Sequence, residues 1–84
     1  MLYYRIYVGH VTEKGRKVKR AEARIESIVA RHIEGATIIS STGIWEGQTE
    51  PASVIDVFVN PSKANARRVG EAQFDIGVLS DDAV

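Results

Sequence analysis

The densest chemistry in this 84-residue chain lies between Thr42 and Glu50. Trp45, the sole tryptophan, stands between Gly43 and Gly47, with Glu46 and Glu50 supplying two carboxylates close by. An indole stacks on flat rings and cations, glycines let backbone amides approach a ligand, and a carboxylate reads or removes a proton. Sugars, bases and sulfonium or ammonium cations all suit that set. A structural use suits it as well: Trp45 plugging a sheet edge while the glycines shape a hairpin. Ser40, Ser41 and Thr42 add hydroxyls to a ligand in the first case and fill a strand surface in the second. Glu46 and Glu50 form a candidate carboxylate pair, whose separation a loop sequence does not fix.

Other chemistry is thinly represented. Cysteine is absent, which excludes disulfides, thiolate zinc sites, iron–sulfur clusters and a cysteine nucleophile. His10 and His32 are the only histidines. His32 falls on an apolar helical stripe, where a satisfied core or edge histidine is expected. His10 follows the first strand and could line a site, but no nearby Asp, Glu or His has the spacing of a metal set. Gly-rich phosphate fingerprints and a nucleophile elbow are both missing. No metal and no cofactor are therefore expected.

The net charge is zero, yet it is unevenly distributed. Residues 1–33 carry eight Lys/Arg against three Asp/Glu; residues 34–84 carry three against eight. Lys14, Arg16, Lys17, Lys19, Arg20 and Arg24 concentrate the basic excess. Such a run meets phosphates, lines a solvated loop and helix face, or docks on the acidic half of another copy. A sequence pI of 6.7 argues against a dedicated nucleic-acid domain, which is usually basic.

The elements that must position these residues follow from hydrophobic period. Leu2 to Val8 alternates and is rich in aromatic and β-branched residues, as a strand does. From Lys19 to Glu34 the period lengthens, with Val18, Ala21, Ile25, Ile28, Val29, His32 and Ile33 on one stripe. Gly35 stands where a left-handed C-cap belongs. Ala36–Ile44 reads as a second strand, residues 43–51 as a loop, and Ser53–Val59 as a third strand. Ser62 is a good N-cap for a short helix through Ala72. Gln73–Leu79 then alternates Phe74, Ile76 and Val78, which predicts a fourth strand. One domain over residues 1–80 and a mobile tail over 81–84 complete the reading.

Strand–helix–strand–strand–helix–strand is the ferredoxin-like βαββαβ pattern: an α+β fold with both helices on one face of a four-stranded antiparallel sheet. The helices would cover Tyr4, Ile6, Val8, Ile55, Val57 and Val59. The other face would carry Tyr3, Arg5, Tyr7, Asp56 and Phe58, with Arg5 and Asp56 placed to pair across strands. That aromatic face is too apolar for a comfortable monomer. It would be covered by further copies of the chain, a trimer being preferred to a dimer, or by single-stranded RNA stacking on the aromatics. The basic–Gly–aromatic–Gly/Ala–Phe-Val octamer of RNA-recognition motifs is missing from the third strand, and Asp56 repels phosphate. Nucleic acid is thus not the expected partner. No apolar run spans a bilayer, and MLYYRIYVG is not a secretory leader, so a cytoplasmic protein is expected.

The order Thr42-Gly43, Trp45 and Gly47 followed by Glu50, with Tyr7-Val8-Gly9 closing the first strand and Gln73 and Val78-Leu79 in the last strand, resembles small ferredoxin-like, PII-like proteins of bacteriophages. It is weakly similar to the phage S-adenosylmethionine lyases, which are trimers. The resemblance implies an oligomer, a host-cytoplasmic setting and an adenosyl or nucleotide-like ligand at subunit boundaries. It places Glu50 at the lyases' glutamate position. Trp45 stands where those enzymes use a tyrosine, a departure that removes the phenol and keeps the stacking surface. Three functional expectations follow. The first is an oligomer binding a nucleotide-like or adenosyl metabolite through Thr42, Gly43, Trp45, Glu46, Gly47, Glu50, His10 and Lys17. The second is a lyase-type enzyme in which Glu50 is the catalytic residue. The third is a ligand-free interaction protein that docks a host factor through its charge asymmetry.

Overall fold

The computed structural model describes residues 1–11 and 15–79. Five elements follow one another: β1 (Leu2–Gly9), α1 (Ala21–His32), β2 (Ala36–Trp45), β3 (Gln48–Val59) and α2 (Lys63–Val78). Among the described residues the sheet has three strands in the order β1-β3-β2, and both pairings are antiparallel. The α+β class stands, but the four-stranded βαββαβ expectation does not. Gln73–Leu79 continues α2 instead of forming a strand on the free side of β1. The reason lies in a second periodicity that runs through the same segment. Val69, Ala72, Ile76 and Leu79 recur at helical spacing and are all buried. One continuous helix therefore buries more apolar surface than a helix broken at Ala72. The expected tail over 81–84 lies outside the described residues.

Ser62 caps α2 as its sequence suggests, accepting a hydrogen bond from the Asn65 amide at 3.0 Å. The end of α1 differs from expectation. Ile33 leaves the helix with extended backbone, while its amide still donates to the Val29 carbonyl. Gly35 is not among the residues with positive φ, so no left-handed cap forms there. The supposed loop over 43–51 is mostly strand as well. β2 and β3 run on to the pair Trp45↔Gln48, and only Glu46 and Gly47 turn the chain. Their φ values of 48° and 79° match a two-residue type I′ hairpin, whose twist suits the flanking strands.

The core sits between the sheet and the two helices. Ile25, Ile55 and Val57 are fully excluded from water, packed with Ile28, Val29, Ile33, Val59, Val69, Ala72, Ile76 and Leu79. Tyr4, Ile6, Val8 and Ile38 close its margins. Both helices cover one sheet face and leave the other open, as the alternation in β1 and β3 requires. His32 ties the helices together at the edge of this layer. Its Nε2 lies 2.7 Å from Asp75 Oδ2, and its Nδ1 lies 3.5 Å from Glu71 Oε2.

Candidate functional site

Two features present the residues singled out above: a projecting hairpin and an open sheet face. β1 pairs with β3 only as far as Gly9↔Ala52, with one further bond from the His10 amide to the Pro51 carbonyl. Beyond that point β2 and β3 continue alone to their turn. At about 3.4 Å per residue, residues 43–50 form an arm projecting roughly 13 Å past β1. Trp45 is 69% exposed near its tip, and Ile44 is 75% exposed beside it. Gly43 pairs with Glu50, and Thr42 pairs with Pro51. The uninterrupted register puts Gly43, Trp45 and Glu50 in phase with Ile39, Val54, Asp56 and Phe58. Trp45 and Glu50 thus belong to the open face and stand diagonally across the hairpin, where aromatic and long side chains reach each other. Glu46 and Gly47 are spent on the turn.

At the centre of the open face, Arg5 and Asp56 form the predicted cross-strand pair in bidentate geometry. Arg5 Nε donates to Asp56 Oδ1 at 2.7 Å and Nη2 donates to Oδ2 at 3.0 Å. The Tyr3 hydroxyl donates to the same Oδ1 at 2.9 Å, and the Tyr3 ring packs on Phe58 with centroids 4.9 Å apart. Two donors on one carboxylate favour its charged form. Hydrogen bonding to Arg5, then to Tyr3, holds the Asp56 carboxyl below its ordinary range. Lost hydration, then the Asp56 carboxylate, pushes the Tyr3 phenol upward. Asp56, then Tyr7, strengthens the hold of Arg5 on its proton. The charges are therefore matched within the chain, surrounded by Tyr3, Tyr7, Phe58 and Ile39, which are 45–74% exposed.

His10 and Lys17 lie on the other side of the sheet. His10 is 6% exposed, and its Nε2 is 2.7 Å from the Oγ of Ser53, itself 1% exposed. The His10 carbonyl accepts from the Val18 amide, which lashes the first loop to the base of the arm. Lys17 and His10 help to line a cleft of about 280 Å³ ahead of α1, together with Arg20, Glu22 and Pro51. A single copy of the chain thus gathers the expected site in two parts. Gly43, Trp45 and Glu50 share the open face with Tyr3, Arg5, Tyr7, Asp56 and Phe58. His10 and Lys17 belong to the helix side, and Thr42 is in phase with that side. Among the described residues, no group of three or more His, Asp or Glu could hold a metal ion, and no helix is long and apolar enough to cross a membrane.

Ser53 was missed in the sequence. Its signal is a polar residue in phase with Ile55, Val57 and Val59, a position that demands a buried hydrogen-bond partner. Ser53 and His10 are buried and bonded to each other, which pins the end of β1 to β3. The chain matches no protein-family model, no curated protein and no solved structure.

Proposed function

We propose that this protein is a homo-oligomer that buries its open sheet face between copies and binds a nucleotide-like or adenosyl metabolite where the Trp45 arm meets a neighbouring subunit. The observation carrying the reading is the continuity of the arm with the open face. Tyr3, Tyr7, Phe58 and Trp45 are each at least half exposed and lie on one side of one sheet. At their degree of exposure they contribute on the order of 500 Å² of aromatic surface. That is near the largest patch a monomer normally shows, roughly 300–600 Å², and Ile39 and Val54 enlarge it. About 800 Å² per partner makes a standard interface. The internally matched Arg5–Asp56 pair leaves no uncompensated charge at the centre of the face, and only the desolvation of the pair itself opposes burial.

The ligand half of the reading follows from chemistry at the tip. Trp45 offers an indole face for an adenine ring or a sulfonium, and Glu50 offers a carboxylate on the same side. In the proposed assembly the face of a neighbouring copy supplies further groups to the ends of such a ligand. Native mass spectrometry of freshly purified protein, followed by titration of Trp45 fluorescence with S-adenosylmethionine and adenosine nucleotides, tests both halves. The expected result is a multimer whose emission is quenched or shifted by at least one of these compounds. A lone chain at all concentrations refutes the assembly; a multimer with unchanged emission throughout refutes the ligand.

A further inference from the structure

The outer edge of β1 holds unspent bonding capacity. The His10 amide donates to the Pro51 carbonyl. Alternation along the unbroken register then gives the even-numbered residues of β1 to β3, and turns the N–H and C=O of Tyr3, Arg5, Tyr7 and Gly9 outward. Among the described residues no strand meets that edge. Proteins usually blunt such an edge with lysine, proline or a bulge. LYYRIYVG contains neither lysine nor proline, and its pairing from Leu2↔Val59 to Gly9↔Ala52 has no bulge. Its one charge, Arg5, is matched by Asp56. Beside the edge, on the helix side, a cleft of about 370 Å³ is lined by Val8, Ala21, Ile25, Ile76 and Leu79 and reaches Tyr7 and Gly9. The inward residues Tyr4, Ile6 and Val8 are accordingly only half-buried, whereas Ile55 and Val57 on the next strand are fully excluded from water. Free backbone groups beside an apolar cleft call for one occupant: a further strand whose alternate side chains are apolar.

β1 of a second copy meets both demands. Its Tyr4, Ile6 and Val8 share one side of the strand, and a two-fold axis perpendicular to the sheet sets them on the helix side, toward the cleft. β2 is the other outer strand among the described residues. Joining β1 to a neighbour's β2 repeats without closing, whereas β1 on β1 closes and fills both clefts at once. Outward groups must meet outward groups, so odd-numbered residues pair with odd. Centring the pair on Ile6 sets Arg5 opposite the second copy's Tyr7 and Tyr3 opposite its Gly9, which uses all four outward residues. Arg5 then lies against an aromatic ring, and Tyr4 meets Val8, large on small, over the cleft. Centring on Arg5 sets like charges opposite each other, and centring on Tyr7 sets Tyr3 opposite Val11, beyond the strand. We infer that the edge of β1 is a self-association surface, occupied by β1 of a second copy in antiparallel register about Ile6, so that two sheets become one. This contact runs along the sheet edge and does not rest on the function proposed above.

The absence of cysteine from the chain makes the register testable by disulfide trapping of the full-length protein, with far-UV circular dichroism reporting the fold of each variant. Across the two-fold axis the Ile6 Cα atoms stand about 4.5 Å apart in a non-hydrogen-bonded pair, within disulfide reach. Ile6→Cys treated with diamide is expected to run almost entirely as a covalent dimer on a non-reducing gel. In the same register two Val8→Cys residues lie about 14 Å apart along the strands, and this variant is expected to stay monomeric on the gel. Tyr7→Pro removes an outward N–H and leaves the bonds to β3 intact; Tyr7→Val removes the same ring and keeps the N–H. In sedimentation velocity over a dilution series, Tyr7→Pro is expected to associate at least about tenfold more weakly than Tyr7→Val, since two hydrogen bonds are lost per dimer. A folded Ile6→Cys chain that forms no covalent dimer overturns the edge contact, even where a multimer made by the open face persists, because Ile6 points away from that face. Trapping of Val8→Cys as complete as that of Ile6→Cys overturns the register. Equal association of folded Tyr7→Pro and Tyr7→Val, or a wild-type chain monomeric at every concentration, overturns the pairing itself.

Discussion

Ser53→Ala is a small change with a large expected consequence. Ser53 is 1% exposed and His10 6%, and the Nε2···Oγ distance is 2.7 Å. Removing the hydroxyl leaves a ring nitrogen of His10 without this partner, inside a wall built by β1, β3 and the first loop. A buried polar group left unpaired costs about 1–3 kcal/mol. In a domain of this size each kcal/mol moves the thermal midpoint by roughly 4–8 °C. A loss on the order of 10 °C is expected in thermal denaturation at neutral pH. Ser53→Ala/His10→Leu removes both polar partners and is expected to recover part of that loss; the double-mutant cycle isolates their coupling. A Ser53→Ala midpoint corresponding to less than about 0.5 kcal/mol of destabilisation would refute the pin. It would return His10 to the candidates for ligand binding in the cleft it shares with Lys17.

Three further outcomes are expected. Asp56→Asn removes a carboxylate whose proton affinity Arg5 lowers; such a group stabilises fully above its ordinary pKa of about 4 and loses that contribution as pH falls through its lowered folded value. Asp56→Asn should therefore melt below the parent at neutral pH and converge with it in acid; a gap independent of pH counts against the pairing. Glu46→Asn should raise the midpoint by a few degrees, because Glu46 holds a φ of 48° and Asn-Gly suits a type I′ turn far better than Glu-Gly; a lower midpoint argues against that turn. Ile55→Ala, at a position fully excluded from water, should cost about 2–5 kcal/mol in chemical denaturation, and a smaller loss would show that the core closes over the cavity.

The legible parts of this protein were those carried by one element at a time. Alternation in Leu2–Val8 and Ser53–Val59 sorted Tyr4, Ile6, Ile55 and Val57 from Tyr3, Arg5, Asp56 and Phe58, and the sheet keeps that division. The Arg5–Asp56 pair was legible because two strands in register bring equal depths together. Gln73–Leu79 is ambiguous in sequence because Phe74, Ile76 and Val78 fit a period of two, while Ala72, Ile76 and Leu79 also fit the helical period. Short apolar runs carry both patterns, and local sequence does not choose between them. The extent of the hairpin was hidden for a similar reason. Gly43, Gly47 and Pro51 look like loop residues, yet only Glu46-Gly47 turns, and β3 keeps pairing through Thr49 and Pro51.

By itself, then, the sequence determined the α+β class, the apolar stripe of α1, the cap at Ser62 and the aromatic composition of one sheet face. These follow from periodicity and from backbone chemistry within a few residues. Only the tertiary structure decided that α2 absorbs the would-be fourth strand and that Ser53 pins His10. It alone also placed Trp45 and Glu50 on the open side, apart from Lys17. Each of those outcomes depends on which surfaces compete to be buried against one another, and that competition is settled between elements distant in sequence.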